Sequence, residues 1–190
     1  MKLLLVCIVI LGLNNEIKQQ PLEVVYTKEV EQISNEQRVY NAYLNIAECL
    51  KANNRISISE ERFARYCTIM GWCESNLNTK SESNGQQGIP QLTRSTRRLL
   101  GIPDILKCSI EEQIWYHYKF FMVCPNLRFV KSLEDLHMTN FKPYGIRMSK
   151  ANGSKLDFNK DGWITKVDLS IFHKKRIKEN KIIKQMYYEI

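Results

Sequence analysis

CESNLN, Cys73 to Asn78, closes the apolar run Ile69-Met-Gly-Trp-Cys73, and SNGQQGIPQLTRST, Ser83 to Thr96, follows a few residues later. A single carboxylate, Glu74, thus ends an apolar helix just before a loop punctuated by glycine and rich in glutamine. A carboxyl in apolar surroundings is desolvated, which raises its pKa and favours the protonated form near neutral pH. The negative end of a helix pushes the same way. A protonated carboxyl is what general-acid cleavage of a glycosidic bond needs. The bland alternative is a surface glutamate at a helix end, paired with a lysine. The loop tips the balance, because Gly85 and Gly88 let backbone approach a ligand closely or take positive φ. Gln91 can donate and accept, as sugar hydroxyls and amides require, and Ser75 and Ser83 add hydroxyls near the carboxyl.

Working outward, helical signals dominate and strand signals are few. Ser34-Asn-Glu-Gln37 is a capping box, and Val39, Tyr43, Ile46, Ala47 and Leu50 follow at helical spacing. Ser57 and Ser59 are candidate caps for the next helix, whose buried face carries Phe63, Tyr66, Cys67, Met70 and Cys73 or Trp72. A short helix is expected over Gln91–Leu100, ended by Gly101 and Pro103. Ser109-Ile-Glu-Glu112 is a second capping box, opening an aromatic-rich helix that Pro125 ends. Shorter pieces fill Leu127–Pro143, and one last helix runs to the C-terminus. The fold class expected is mainly α.

With 190 residues, 44% of them hydrophobic and 25% charged, the chain suits one globular domain with a real core. Its net charge of +8 suits solubility or an anionic partner. No aromatic-interleaved basic motif of the kind that reads single-stranded nucleic acid is present, so nucleic acid is not an expected partner. The start, MKLLLVCIVILGLNN, reads as a signal peptide or short anchor over 1–15, with a linker over 16–33 and a short strand at LEVVY. Export to the periplasm or cell envelope follows, with secretion or a virion as alternatives, and membrane association through the apolar segment if it is uncleaved. Five cysteines follow the leader, Cys67 and Cys73 are wrongly spaced on one helix to bridge, and most are read as small buried hydrophobes.

Glu74, Ser75, Asn78, Ser83, Gly85, Gly88, Ile89, Gln91 and Thr96 together resemble the lytic transglycosylase and goose-type lysozyme family. Leu99 to Phe121 resembles the stretch that follows in it, so the likeness covers about Phe63 to Val123. The resemblance implies a lysozyme-like domain over 34–190, acting as a monomer on peptidoglycan glycan strands. Glu74 would be the catalytic acid/base, with Ser75, Ser83 and Gln91 near the substrate. Gln86 stands where the family has alanine, and Pro90 where it has Met or Phe. The family's later Ala-Tyr-Asn-Ala-Gly motif is missing, and Tyr144 is the stand-in. Hydrolysis needs a second carboxylate as base or nucleophile. Glu82, the other acid before Asp104, reads as solvent-exposed. The implied reaction is therefore transglycosylation, closing a 1,6-anhydro ring on N-acetylmuramic acid. The alternatives are a lysozyme-type hydrolase (endolysin) and an inactive glycan-binding or calcium-dependent interaction protein.

LDFNKDGWITKVDL near the end satisfies an EF-hand-like calcium pattern over 157–168. Asp157, Asn159, Asp161 and Asp168 would supply side-chain oxygens and Trp163 its backbone carbonyl, with Gly162 making the turn. The expected ion is a structural Ca²⁺, and the loop resembles the dockerin type. The plain alternative is an Asx-rich turn capping the last helix.

Overall fold

A computed structural model describes residues 33–141, 148–150 and 155–190. The leader, the LEVVY strand, the linker up to residue 32 and Tyr144 lie outside the described residues. Seven α-helices and five short strands make up the described chain, as the helical periodicity led us to expect.

Helix α1, Asn35–Ala52, and α2, Glu60–Ser75, start where the serines say they should. The Ser34 and Ser59 hydroxyls accept from the backbone amides of Gln37 and Arg62 at 3.2 and 3.3 Å. Gln37 turns its amide to Asn41 at 2.9 Å rather than completing the box. Every apolar position read from the α1 spacing is buried. Helix α2 is the central element, touching α1 and the three C-terminal helices described below. The Phe63 ring on α2 meets Phe121 edge-on at 5.3 Å between centroids.

After α2 the chain makes a three-stranded antiparallel sheet: β1, Glu82–Ser83; β2, Gln86–Gln87; β3, Leu92–Thr93. The expected helix over Gln91–Leu100 is shorter, because Leu92 and Thr93 pair with β2 and the Thr93 hydroxyl then caps α3, Arg94–Leu99. Helix α4, Ile110–Val123, has its full capping box between Ser109 and Glu112. Helix α5, Leu133–Phe141, follows a single 3-10 turn. Strand β4, Met148–Lys150, pairs antiparallel with β5, Trp163–Thr165. The last helix expected is two: α6, Lys166–Arg176, and α7, Lys181–Tyr188. Between them a 3-10 turn, Ile177–Glu179, ends at Asn180, whose side chain caps α7.

The loop that carries the motif is pinned by one buried side chain. The Gln113 amide donates to the carbonyls of Thr79, Ile105 and Cys108 at 2.9, 2.8 and 3.3 Å. Its oxygen accepts from the Ile89 amide at 2.9 Å. Gly88 sits against this staple with φ +70°, and a Cβ there would strike Gln113 Oε1 and lie 2.9 Å from Ile105 Cδ1. Gly85 has a similar φ of +75° but open space around it. Positive φ alone costs a side chain about 1–2 kcal/mol. Gly88→Ala should therefore lower the melting temperature clearly more than Gly85→Ala, since it also displaces Gln113. Equal losses in thermal melts would show that the staple does not hold the loop.

Candidate active site

Glu74 lies in the last turn of α2, and its side chain is 17% exposed. It opens on a narrow cavity of about 50 Å³ lined also by Gln86, Gln91, Leu92, Thr93, Thr96, Phe120 and Asn140. Among the described residues lining it, Glu74 is the one carboxylate. Gln91 has φ +49°, a conformation that costs a non-glycine residue energy. Its amide nitrogen bonds the Gly88 carbonyl at 2.6 Å and Ser81 Oγ at 3.3 Å. A larger hollow of about 450 Å³ is lined by Asn35 and Arg38, by Asn76 to Thr79 and by Cys108 to Ile110, with no carboxylate or imidazole among them. The smaller cavity has the groups that can move a proton, so we take it as the site.

The other residues singled out from sequence fall differently. Ser75 is buried and donates to the carbonyls of Gly71 and Ile89 at 2.8 and 3.3 Å. It ties the end of α2 to the loop. Ser83 is exposed on β1, paired with Gln86 and outside the lining of the cavity. Glu82 is exposed, as read from sequence, and accepts from the Gln87 side chain at 3.1 Å. The five described cysteines are free, with Cys67, Cys73 and Cys124 buried.

What sequence reading missed is the partner of Glu74. The His137 ring on α5 is fully buried and places Nε2 in a short hydrogen bond to Glu74 Oε1. Its Nδ1 faces His173 Nε2 on α6 at 2.7 Å. His173 Nδ1 in turn faces Glu134 Oε1 at 3.7 Å. Four side chains thus run in file from the cavity into the protein: Glu74, His137, His173, Glu134. The third histidine, His117, bonds Tyr43 at 3.0 Å and Asn140 at 3.1 Å. Burial holds His117 neutral, its pKa pushed down to about 3.

This file overturns the expectation that Glu74 has a raised pKa. Burial does push it up, but the charge and hydrogen bond of His137, with Arg176, outweigh burial and hold the carboxyl below its ordinary value. Arg176 on α6 reaches the end of α2, donating to the Cys73 carbonyl at 3.4 Å and to Asn76. It thereby offsets the negative helix end that was expected to favour the acid form. Glu74 thus acts as one member of a hydrogen-bonded pair with His137 rather than as an isolated acid.

The acidic loop departs from the calcium pattern at its twelfth position and in the element that precedes it. Asp157 accepts from the amides of Asp161 and Gly162 at 3.2 and 2.9 Å, Asn159 from Asp161 at 3.2 Å, and Asp161 from Trp163 at 2.8 Å. Gly162 has φ +86°, as the turn requires. Asp168 is buried, and its carboxylate is engaged by the Phe158 and Thr165 amides at 3.1 and 2.9 Å and the Thr165 hydroxyl at 2.6 Å. It completes the capping box of α6 instead of facing a common centre. The incoming element is strand β4, not a helix. Among the described residues, no group of three His, Cys, Asp or Glu side chains converges as a metal site. The side-chain oxygens of Asp157, Asn159 and Asp161 are engaged by loop amides, and Asp168 caps α6. Comparison with protein-family models, curated proteins and solved structures finds no match to this chain.

Proposed function

We propose that this protein is a peptidoglycan lytic transglycosylase that cleaves the β-1,4 bond between N-acetylmuramic acid and N-acetylglucosamine. The observation that carries the reading is Glu74, the one carboxylate among the described residues lining a narrow cleft, paired with a buried imidazole. Glu74 protonates the leaving oxygen and then takes the proton of the sugar's own 6-hydroxyl, so one carboxylate serves both steps. Gln91, Thr93, Thr96 and Asn140 supply hydrogen-bonding groups around it, of the kind sugar hydroxyls meet. The narrowness of the cleft favours a second reading, a glycan-binding protein of the same fold without the chemistry. The site of action we infer is the cell envelope after export, where the basic charge suits an acidic wall.

Glu74→Gln separates the two readings. Glutamine keeps the shape and cannot pass a proton, and general acid catalysis is worth roughly 10²–10⁴-fold. Lysis of purified walls should fall by that range while binding to the same walls persists at temperatures where the variant stays folded. Unchanged lysis in the variant would remove Glu74 from the mechanism.

For the loop at 157–168 we propose a structural Ca²⁺, which Asp168 could join only by releasing Thr165. Binding to the native state alone stabilises by RT ln(1 + [L]/Kd), about 2.7 kcal/mol at a hundredfold excess over Kd. Thermal melts should rise with millimolar Ca²⁺, and Asp161→Ala should erase the rise without touching Glu74-dependent lysis. A melting curve unmoved by Ca²⁺ would make the loop a plain helix-capping turn.

A further inference from the structure

All three histidines of this chain are fully buried, and two of them stand in line behind Glu74. A buried imidazole beside a carboxylate is a proton store, but only if its other nitrogen has a fixed role. The far end of the file supplies that role. Glu134 is held as a carboxylate, its pKa down to about 2 although burial opposes this, by the His173 ring and hydrogen bonds from the backbone and Ser132. Glu134 Oε1 lies 3.7 Å from His173 Nδ1, which has no hydrogen-bond partner, and the charge of that carboxylate favours the tautomer with the proton on Nδ1. Burial keeps that ring neutral, its pKa down to about 4. Its Nε2 therefore carries a lone pair, and at 2.7 Å it can only accept from His137 Nδ1–H. With Nδ1–H committed, the one mobile proton of the file lies between His137 Nε2 and Glu74 Oε1.

We propose that His137 is the proton reservoir of Glu74, and that His173 and Glu134 are positioning residues that fix its tautomer from behind. This rests on the transglycosylase reading above. In the proposed cycle the shared proton starts on the His137 side of the contact, with Glu74 ionised. The Nε2 proton crosses to Oε1, leaving neutral His137 and a carboxylic acid. The acid gives that proton to the glycosidic oxygen as the bond from it to C1 breaks. The carboxylate then takes the proton of the 6-hydroxyl as the O6–C1 bond forms, and passes it back to Nε2. One proton leaves the pair and one returns, so nothing else is consumed. This accounts for a carboxyl that is ionised at rest and still serves as an acid.

Several other charged or titratable groups face the file. Arg176 lies at the end of α6 and Glu179 in the turn after it, Cys73 and Tyr66 are on α2, and Tyr187 is on α7. Asp135 on α5 pairs with Lys166 on α6. Glu134→Gln also removes a charge felt by the Tyr66 and Tyr187 hydroxyls, which burial holds above their ordinary pKa, while its side chain, 18% exposed, lies outside the cavity lining.

The decisive experiment uses the full chain with Glu134→Gln and Glu134→Asp, read in two ways. The first is the pH profile of kcat on purified walls, whose alkaline limb reports loss of the shared proton. Removing the distant negative charge lowers the pair's hold on that proton. In Glu134→Gln the limb should move to lower pH by roughly 0.5–1 unit, the size of a single-charge effect across two rings at an effective dielectric constant of ~20–40. Glu134→Asp should restore most of the wild-type limb. A purely structural role would lower kcat and leave the limb in place. The second readout is nitrogen NMR of the imidazole rings, which needs no activity. It should show His173 neutral with its proton on Nδ1 in the wild type. A His173 proton on Nε2, or an unmoved limb in Glu134→Gln, overturns the proposal. If the wild type cleaves no glycan, or cleaves it without Glu74, the functional reading fails while the ring spectra still decide the file.

Discussion

The Glu74–His137 contact is where three helices meet in chemical terms. A carboxylate carried on the central helix α2 and stripped of most of its water must find a positive partner, because leaving either member of such a pair alone costs roughly 3–5 kcal/mol. The partner comes from α5, and its own second nitrogen is answered from α6. Arg176 on α6 closes over the end of α2 beside it. The packing of α2 against α5 and α6 is thus fixed by polar groups as well as by the apolar face of α2. Register is specified in consequence: a helix slipped by one turn would leave a buried imidazole or carboxylate without its partner.

A second constraint shapes the other wall of the cleft. Gln113 gathers three carbonyls and one amide from separate loops into one buried amide group. It holds the glycine-containing loop so that Gln91 reaches the cavity from a backbone conformation it would not choose alone. The two constraints meet at a cavity of about 50 Å³ that both Glu74 and Gln91 line.

Much of the helical frame was legible in the sequence, for local reasons. Ser34, Ser59 and Ser109 mark helix starts because a hydroxyl can satisfy an amide only a few residues away. Val39, Tyr43 and Leu50 declare a buried face by their spacing. The Glu74 environment was half legible. Its apolar approach could be read, but its ion partner could not, since His137 is 63 residues distant and His173 a further 36. Desolvation alone predicts a raised pKa, and long-range charge reversed the sign. Ser75 misled for a related reason: a hydroxyl beside a catalytic carboxyl can equally serve the backbone, and here it does. Asp168 shows the same competition, since a carboxylate three residues into a helix can cap it as readily as it can hold a cation. A signal did exist for the missed pair. His137 and His173 each fall on the apolar side of a short helix, and a histidine there needs a polar partner.

The central claim is that one carboxylate, supplied with a proton by the imidazole behind it, breaks a glycosidic bond without water. In transglycosylation the 6-hydroxyl attacks and water does not enter the product. In hydrolysis water is added and a second carboxylate is needed. Mass analysis of fragments released from purified peptidoglycan tells these apart directly. The account predicts fragments ending in 1,6-anhydromuramic acid, lighter by one water than their reducing counterparts. Fragments with reducing ends alone would contradict it and would require a base that the described lining of the Glu74 cleft does not hold.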